Sequence, residues 1–186
     1  MNEFKKLCLL SIFCLLSISQ IFSQSNQREL GLRFTSLDSF SFIYKKEKSE
    51  NKFTRFRVGV IGLNYSRYAE NNDAFNIGIA MALGQEKRKS LNSKLQFVHG
   101  WEPYLSATAN LPEGSDFNIR INPRIGYVLG FQYNLFKDFY VNIETIPGLG
   151  ARFQIDETGL DDRFTLDAGF NSGAIAISVL YRFEKE

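Results

Sequence analysis

The single histidine of the chain is the first place to look for catalysis. His99 lies three residues before Glu102 and seven before Ser106, so a base, an acid and a nucleophile are close in sequence. A hydrolytic triad needs these side chains within hydrogen-bond reach of one another. On a β-strand, residues separated by an odd number point to opposite faces, which separates His99 from both partners. We therefore predict no catalytic residues and no enzyme activity.

Composition argues against several other kinds of site. A chain with one histidine cannot build a metal centre that needs a histidine pair, such as HExxH. The Gly148-Leu149-Gly150 segment is not followed by a helical pattern, so it is not a nucleotide-binding loop. A net charge of +2 over 186 residues gives no basic surface for nucleic acid. We expect no metal, no cofactor and no nucleic-acid partner.

The first residues predict export from the cytoplasm. Residues 1–23 contain two early lysines, an apolar run from Leu7 to Leu16 and a more polar end, which is the layout of a cleavable signal peptide. Both cysteines, Cys8 and Cys14, lie in this segment, and a cysteine-free mature chain suits an oxidising compartment. We predict a signal peptide at 1–23 and one domain at 24–186.

The rest of the chain alternates between apolar and polar residues. In 117–134, for example, Phe117 and Ile119 alternate with Asn118 and Arg120. Side chains of a strand alternate between two faces, so each such segment has one apolar and one polar face. Eight segments follow the pattern, at about 28–36, 39–46, 53–66, 73–86, 93–109, 117–135, 139–155 and 163–183.

The lengths of these segments favour a particular all-β fold. Strands of soluble sandwiches usually have about 5–6 residues, whereas several of these are far longer. The pattern predicts a closed antiparallel up-and-down transmembrane β-barrel of eight strands, in which closure removes the edges that lipid cannot tolerate. Changes of phase near Gly62 and Gly173 indicate β-bulges. The charged run Gly84 to Lys89 is expected to form a solvated periplasmic turn, with anionic lipid head groups as a weaker alternative contact.

The two faces of the predicted strands suggest two sets of functional side chains. We expect charges on the polar face to pair across the lumen and plug it, because eight strands leave just enough room for side chains. The candidates are Arg55, Arg57, Glu86, Glu102, Arg120, Arg124, Glu144, Arg152 and Arg182, with Arg33 and Asp167 as further lumen residues. The candidates for aromatic girdles at the membrane interfaces are Trp101, Phe117, Tyr127, Phe131, Tyr133, Phe139, Phe153 and Tyr181. Alternation alone leaves open that these aromatics fill a soluble core.

Three features resemble a known group of proteins. They are the Ser-Gln end of the signal peptide, the strand Asn122-Pro123-Arg124-Ile125-Gly126-Tyr127, and the closing Leu180-Tyr181-Arg182-Phe183. Together they look like small outer-membrane β-barrel proteins of Bacteroidetes, over about 24–186. The resemblance implies insertion by the outer-membrane assembly machinery, with Tyr181 and Phe183 as the assembly signal, although three more residues follow Phe183.

These observations leave four hypotheses for function. The first is an integral outer-membrane barrel with a plugged polar lumen, a structural or interaction role and no catalysis. Its partners would be outer-membrane lipid, the assembly machinery and an unidentified protein. The second is a narrow pore or carrier for a small solute. The third is a lipid-modifying enzyme, and the fourth is a soluble secreted ligand-binding barrel.

Overall fold

The described structure consists of β-strands joined by turns and short links. The computed structural model describes residues 27–36, 39–66, 74–112, 117–156, 159–160, 164–170 and 175–184. The strands are β1 (Gln27–Phe34), β2 (Phe40–Ser49), β3 (Lys52–Ser66), β4 (Ala74–Ser90), β5 (Leu95–Pro112), β6 (Asn118–Asn134), β7 (Phe139–Thr145), β8 (Gly148–Asp156), β9 (Gly159–Leu160), β10 (Thr165–Gly169) and β11 (Ile175–Glu184). In these ranges no helix is long and apolar enough to cross a membrane.

Antiparallel pairing closes the sheet on itself. From β1 to β6 each strand pairs with the next, and the free edge of β1 pairs with β11, with Gln27 opposite Glu184. β6 pairs with both β7 and β8, while β10 pairs with β8 and β11 with β7. Thus β7 and β8 form one wall strand, and β10 and β11 form another. The fold is a closed antiparallel barrel of eight wall strands, which confirms the predicted fold class.

The stagger of the strands fixes the width of the barrel. The row of paired residues that starts at Phe131 on β6 returns, after one circuit, to Ile121 on the same strand. It passes through Ile143, Ile177, Phe34, Phe40, Val60, Ile79 and Ala107. With ~3.3 Å per residue and ~4.8 Å between strands, this shift of ten residues corresponds to a tilt of about 40°. Side chains can fill a lumen of this width.

Prolines interrupt the ladder at three places in the wall. Pro103 lies in a gap of the β4–β5 ladder, and Pro123 lies in a gap of the β6–β8 ladder. Pro147 lies between β7 and β8, which divides the segment that the sequence predicted as continuous. Proline has no backbone N–H to donate to a neighbouring strand, so each proline removes a rung while the strand keeps its direction.

Two irregularities explain the changes of phase in the sequence. Val60 pairs with Ile79 and Gly62 pairs with Gly78, so Ile61 is an extra residue and forms the predicted bulge. On the last wall strand, the register of β10 would place Ile175 opposite Asn142, whereas it lies opposite Thr145. This shift of three positions in register reverses the alternation between β10 and β11. Gly173 itself lies outside the described residues.

The barrel has two ends, and at one of them the strands reach different heights around the wall. We call the end that holds Gln27 and Glu184 the base; it also carries the turns Glu50–Asn51, 91–94 and 135–138. Asn51 has φ 58°, a left-handed conformation that asparagine tolerates in tight turns. We call the other end the mouth. The β1–β2 hairpin ends there at Phe34 and Phe40, whereas β3 continues to Ser66.

Candidate functional site

Ten charged side chains meet in the half of the lumen nearer the base. They come from seven strands, and seven of the ten side chains are at most 1% exposed. We call this group the ionic floor: Glu29, Arg33, Lys45, Arg55, Arg57, Glu86, Arg88, Glu102, Glu144 and Arg182. Each of these residues occupies an inward-facing position of its strand, so their side chains meet in the lumen. The floor therefore links nearly the whole circumference of the wall.

Arg55 occupies the centre of the ionic floor. Its Nε lies 2.7 Å from Glu102 Oε2, and Nη1 lies 3.2 Å from Glu86 Oε2. The same guanidinium donates two hydrogen bonds to Glu144, of 3.0 Å from Nη1 and 2.8 Å from Nη2. Such charge-assisted bonds in a dry interior are strong and directional. Arg55 thereby holds carboxylates from β4, β5 and β7 around one point.

A second arginine organises the side of the floor nearest the base. Arg88 donates two hydrogen bonds to Glu29, of 2.8 and 2.7 Å, and also donates to Glu86. Arg182 donates to the same Glu29 oxygen at 2.9 and 2.6 Å. Glu29 is on β1 and Arg182 on β11, so this ion pair spans the seam where the barrel closes. Lys45 completes the layer by contacting Glu86 at 2.9 Å.

The ionic floor has more cations than carboxylates. It contains six positive and four negative side chains, a net charge of +2. Aromatic rings partly balance this surplus, since the Arg88 guanidinium lies 3.6 Å from the Phe53 ring centroid and that of Arg182 lies 4.1 Å from Tyr140. Because cations outnumber carboxylates in the floor, every carboxylate has at least two cationic neighbours.

Above the floor the lumen opens into a polar cup at the mouth. The cup has a volume of about 460 Å³. Its side chains include Tyr104, Ser106, Thr108, Arg120, Asn122, Arg124, Arg152 and Asp167. Arg124 contacts Asp167 at 2.7 Å and Arg152 donates to Asn122 at 3.3 Å, whereas Arg120 makes no hydrogen bond or ion pair to the described residues. The cup is cationic and faces solvent.

The predicted lumen charges thus fall into two separate groups. Those in the ionic floor are Arg55, Arg57, Glu86, Glu102, Glu144 and Arg182. Arg120, Arg124 and Arg152 lie in the cup instead, together with Asp167, and do not contribute to the floor. Arg33, the other further candidate, contacts Glu144 at 2.6 Å within the floor. One network was expected, but the two groups lie at different heights.

Sequence reasoning missed three members of the floor and misplaced a segment. The run Gly84 to Lys89 is not a turn; it lies in β4, and its Glu86 and Arg88 are buried in the lumen. Charged residues near a strand end resemble a solvated turn, which explains the error. Glu29 and Lys45 also escaped notice, although each follows the inward parity of its strand. Extending the alternation to every strand end would have found all three missed residues.

The predicted girdle aromatics all point outward. Phe131, Tyr133, Phe139 and Tyr181 lie towards the base, and Phe139 and Tyr181 pair across β7 and β11 with ring centroids 5.1 Å apart. Phe117 and Phe153 lie towards the mouth. Trp101 is 58% exposed and packs edge-on against Tyr127 at 4.8 Å. The set therefore divides between two levels of the outer wall.

The residues considered for catalysis do not meet. His99 faces outward, where its Nδ1 lies 2.9 Å from the hydroxyl of Tyr127 and its ring stacks on Phe97. Glu102 and Ser106 are buried on the lumen side, in the floor and the cup. The wall of the barrel thus separates His99 from both Glu102 and Ser106. Within the described residues, no group of three or more His, Cys, Asp and Glu side chains could hold a metal ion.

The proposed assembly residues lie on the closing strand. Tyr181 and Phe183 stack with ring centroids 6.4 Å apart and pair with Leu30 and Arg28 of β1. The predicted signal peptide, residues 1–23, lies outside the described residues.

Comparison with known proteins gives structural neighbours only. No protein-family model and no curated protein matches the sequence. Ail, the attachment invasion locus protein of Yersinia pestis, is similar with a TM-score of 0.47 and 13% identity, over 86% of this chain and 100% of that chain. A major outer membrane protein from Thermus thermophilus is similar with a TM-score of 0.46 and 9% identity, over the same shares.

Proposed function

We propose that this chain is an integral outer-membrane β-barrel, sealed by the ionic floor, with a structural or interaction role and no catalysis. The observation that carries the proposal is an inversion of the usual burial pattern. Within the described residues, 32 large hydrophobic side chains are exposed, whereas the buried residues comprise eight hydrophobic and 13 polar or charged ones. Water-soluble proteins rarely expose so continuous an apolar surface, whereas lipid favours it.

Strand length and closure support the same proposal. β4, β5 and β6 contain 17, 18 and 17 residues, more than the ~10 that a tilted strand needs to cross a bilayer. Pairing of β1 with β11 satisfies the backbone groups that an open sheet would expose to lipid. The resemblance to small outer-membrane barrels of Bacteroidetes agrees with this location.

Fractionation and gel mobility test the location. Cells that express the native gene are separated into soluble, inner-membrane and outer-membrane fractions, and each is run on SDS gels with and without boiling. We expect the protein in the outer-membrane fraction, with a mobility that changes on boiling. Recovery from the soluble fraction without detergent would instead support the soluble ligand-binding barrel.

The pore hypothesis differs from the sealed barrel in a measurable way. Ion pairs among buried side chains of seven strands cross the lumen at the ionic floor, which supports a sealed barrel, so we expect no steady conductance in planar bilayers. The arginines of the cup show whether any conductance runs through the lumen, because anions on that path would pass them. A conductance that changes in Arg120→Ala or Arg124→Ala would overturn the sealed barrel and support a small anion-selective pore.

The enzyme hypothesis has a separate test. The wall separates His99 from Glu102 and Ser106, which argues against a triad on this chain. We expect the lipid A profile of a deletion strain to match that of the parent and of a strain that carries His99→Ala. A modified lipid A species lost in both mutant strains would support lipid modification instead.

Recognition by the assembly machinery is proposed for the end of β11. Tyr181 and Phe183 follow one another along the outer side of the closing strand, where an unfolded chain would display them together. We expect Tyr181→Ala/Phe183→Ala to lower the amount of protein in the outer membrane. Ile177→Ala/Val179→Ala, on the same strand, is the matched control. Equal losses in both variants would reject a specific signal.

A further inference from the structure

A groove of about 860 Å³ lies on the outer wall near the base. We call it the base groove and define it by Lys48, Lys52, Thr54, Leu83, Gln85, Lys87, His99, Trp101, Pro103 and Tyr127. It lies where β3, β4 and β5 run side by side, and the floor arginines face away from it. Phe53 and Glu86, which belong to the lumen side of the same strands, also border the groove.

Two inward-facing residues that line the groove, Gly84 and Gly100, have no side chain. A Cβ on Gly84 would lie 2.6 Å from the Trp101 carbonyl oxygen, and a Cβ on Gly100 would lie even closer to that of Gln85. Pro103 removes a rung of the β4–β5 ladder at the same height. Close backbone packing at the two glycines and the missing rung at Pro103 thus occur at the height of the groove.

Three rows of paired residues cross the groove, and they change from charged to apolar. The row nearest the base pairs Lys52 with Lys87 and Lys87 with His99. The middle row is Thr54, Gln85, Trp101 and Tyr127. The third row pairs Phe56 with Leu83, which are 44% and 60% exposed. Successive rows lie ~7 Å apart along the strands.

An external counter-charge would stabilise the pairing of Lys52 with Lys87. Like charges directly opposite on neighbouring strands destabilise a sheet. Both side chains are exposed, and neither they nor Lys48 make an ion pair with any described residue. Lys48 lies in the register shift between Glu47 and Ser49, and Ser49 pairs with Lys52. An anion held between these lysines would remove the repulsion.

We propose that the base groove binds an anionic phospholipid of the leaflet nearest the base. This inference rests on the proposed membrane location. The lipid phosphate contacts Lys48, Lys52 and Lys87, the glycerol region lies against Thr54, Gln85 and Trp101, and an acyl chain follows Leu83 and Phe56. The order of the rows matches the order of these parts in a phospholipid, since the apolar rows continue towards the centre of the barrel. Clustered lysines beside an apolar surface attract anionic lipid head groups electrostatically.

Trp101 makes the proposal measurable, because it is the only tryptophan of the chain. The full chain is reconstituted in phosphatidylcholine vesicles that contain a minor fraction of lipid with brominated acyl chains, which quench tryptophan on contact. The quencher is either brominated phosphatidylglycerol or brominated phosphatidylcholine. We expect the anionic lipid to quench at a several-fold lower mole fraction. We also expect this preference to shrink at high salt.

A matched pair of variants assigns the preference to the groove. Lys52→Gln/Lys87→Gln should remove most of the preference for phosphatidylglycerol. Lys94→Gln/Lys137→Gln changes the net charge of the base equally, at turn lysines that do not line the groove, and should retain the preference. Equal quenching by both lipids in the unmodified protein, or equal loss in both variants, overturns the lipid site while leaving the membrane location intact. Quenching by neither lipid overturns the membrane location as well.

Discussion

The surplus of positive charge in the ionic floor predicts that loss of a carboxylate lowers the free energy of unfolding more than loss of a cation. Glu144→Gln keeps the shape of the side chain but removes the negative charge that Arg33 and Arg55 contact at 2.6 and 2.8 Å. Arg33 then has no carboxylate partner among the described residues, and the floor changes from +2 to +3. Removing one partner of a buried ion pair costs about 3–5 kcal/mol, which we expect for this variant.

Lys45→Met is the matched change of opposite sign. Lys45 is fully buried and pairs with Glu86, which keeps Arg55 and Arg88 as partners when the lysine is lost. The floor then changes from +2 to +1, and an apolar side chain of similar length fills the space. Replacing a buried charge whose partner stays paired removes a desolvation penalty, so we expect a cost below about 1 kcal/mol.

Urea unfolding in lipid vesicles, followed by Trp101 fluorescence, measures both variants. With a slope of about 2 kcal/mol per molar urea, the loss in Glu144→Gln should lower the midpoint by about 2 M, and Lys45→Met should change it by less than about 0.5 M. Equal shifts in the two variants would refute the argument from surplus charge. A Glu144→Gln midpoint close to that of the unmodified protein would refute the floor as a stabilising network.

Three further predictions concern the wall and the cup. Met81→Arg places a charge on the outer face at mid-height and should cost about 2–4 kcal/mol in vesicles, whereas in a soluble barrel it should change the free energy of unfolding by less than ~0.5 kcal/mol. Gly100→Leu should abolish the heat-modifiable form on gels because its Cβ meets the backbone of β4, while Gly62→Ala, with open space around it, should retain that form. Asp167→Asn should lower stability in urea by less than about 1 kcal/mol, because the Asp167 side chain is 38% exposed and Arg124 still donates to the carbonyls of Gly148 and Gly169.

The sequence predicted the barrel because alternation is a local property. Whether Phe131 or Gln132 faces outward depends only on the parity of the strand, and parity is visible without knowing the neighbours. The one-residue bulge beside Gly62 was visible for the same reason. The number of wall strands followed from counting alternating segments.

Heights and partners were not predictable in this way. Arg120 and Arg55 both occupy inward-facing positions of their strands, yet Arg120 lies in the open cup and Arg55 in the buried floor. Their separation depends on a stagger of ten residues around the wall, which only the pairing of all strands reveals. The base groove needs the same information, since Lys52, Lys87 and Trp101 meet through register and not through sequence spacing.

Closure of the barrel between β1 and β11 has a consequence for how the chain folds. The seam joins Gln27 to Glu184, and the ion pair of Glu29 with Arg182 lies beside it. No set of earlier strands can form a closed wall, so the outermost edges remain unsatisfied until the last strand has been made. Contacts of such large sequence separation form slowly, because the entropy of loop closure must be overcome first. Folding is therefore expected to follow synthesis of the whole chain, and a truncation within β11 should leave a chain that cannot close its wall.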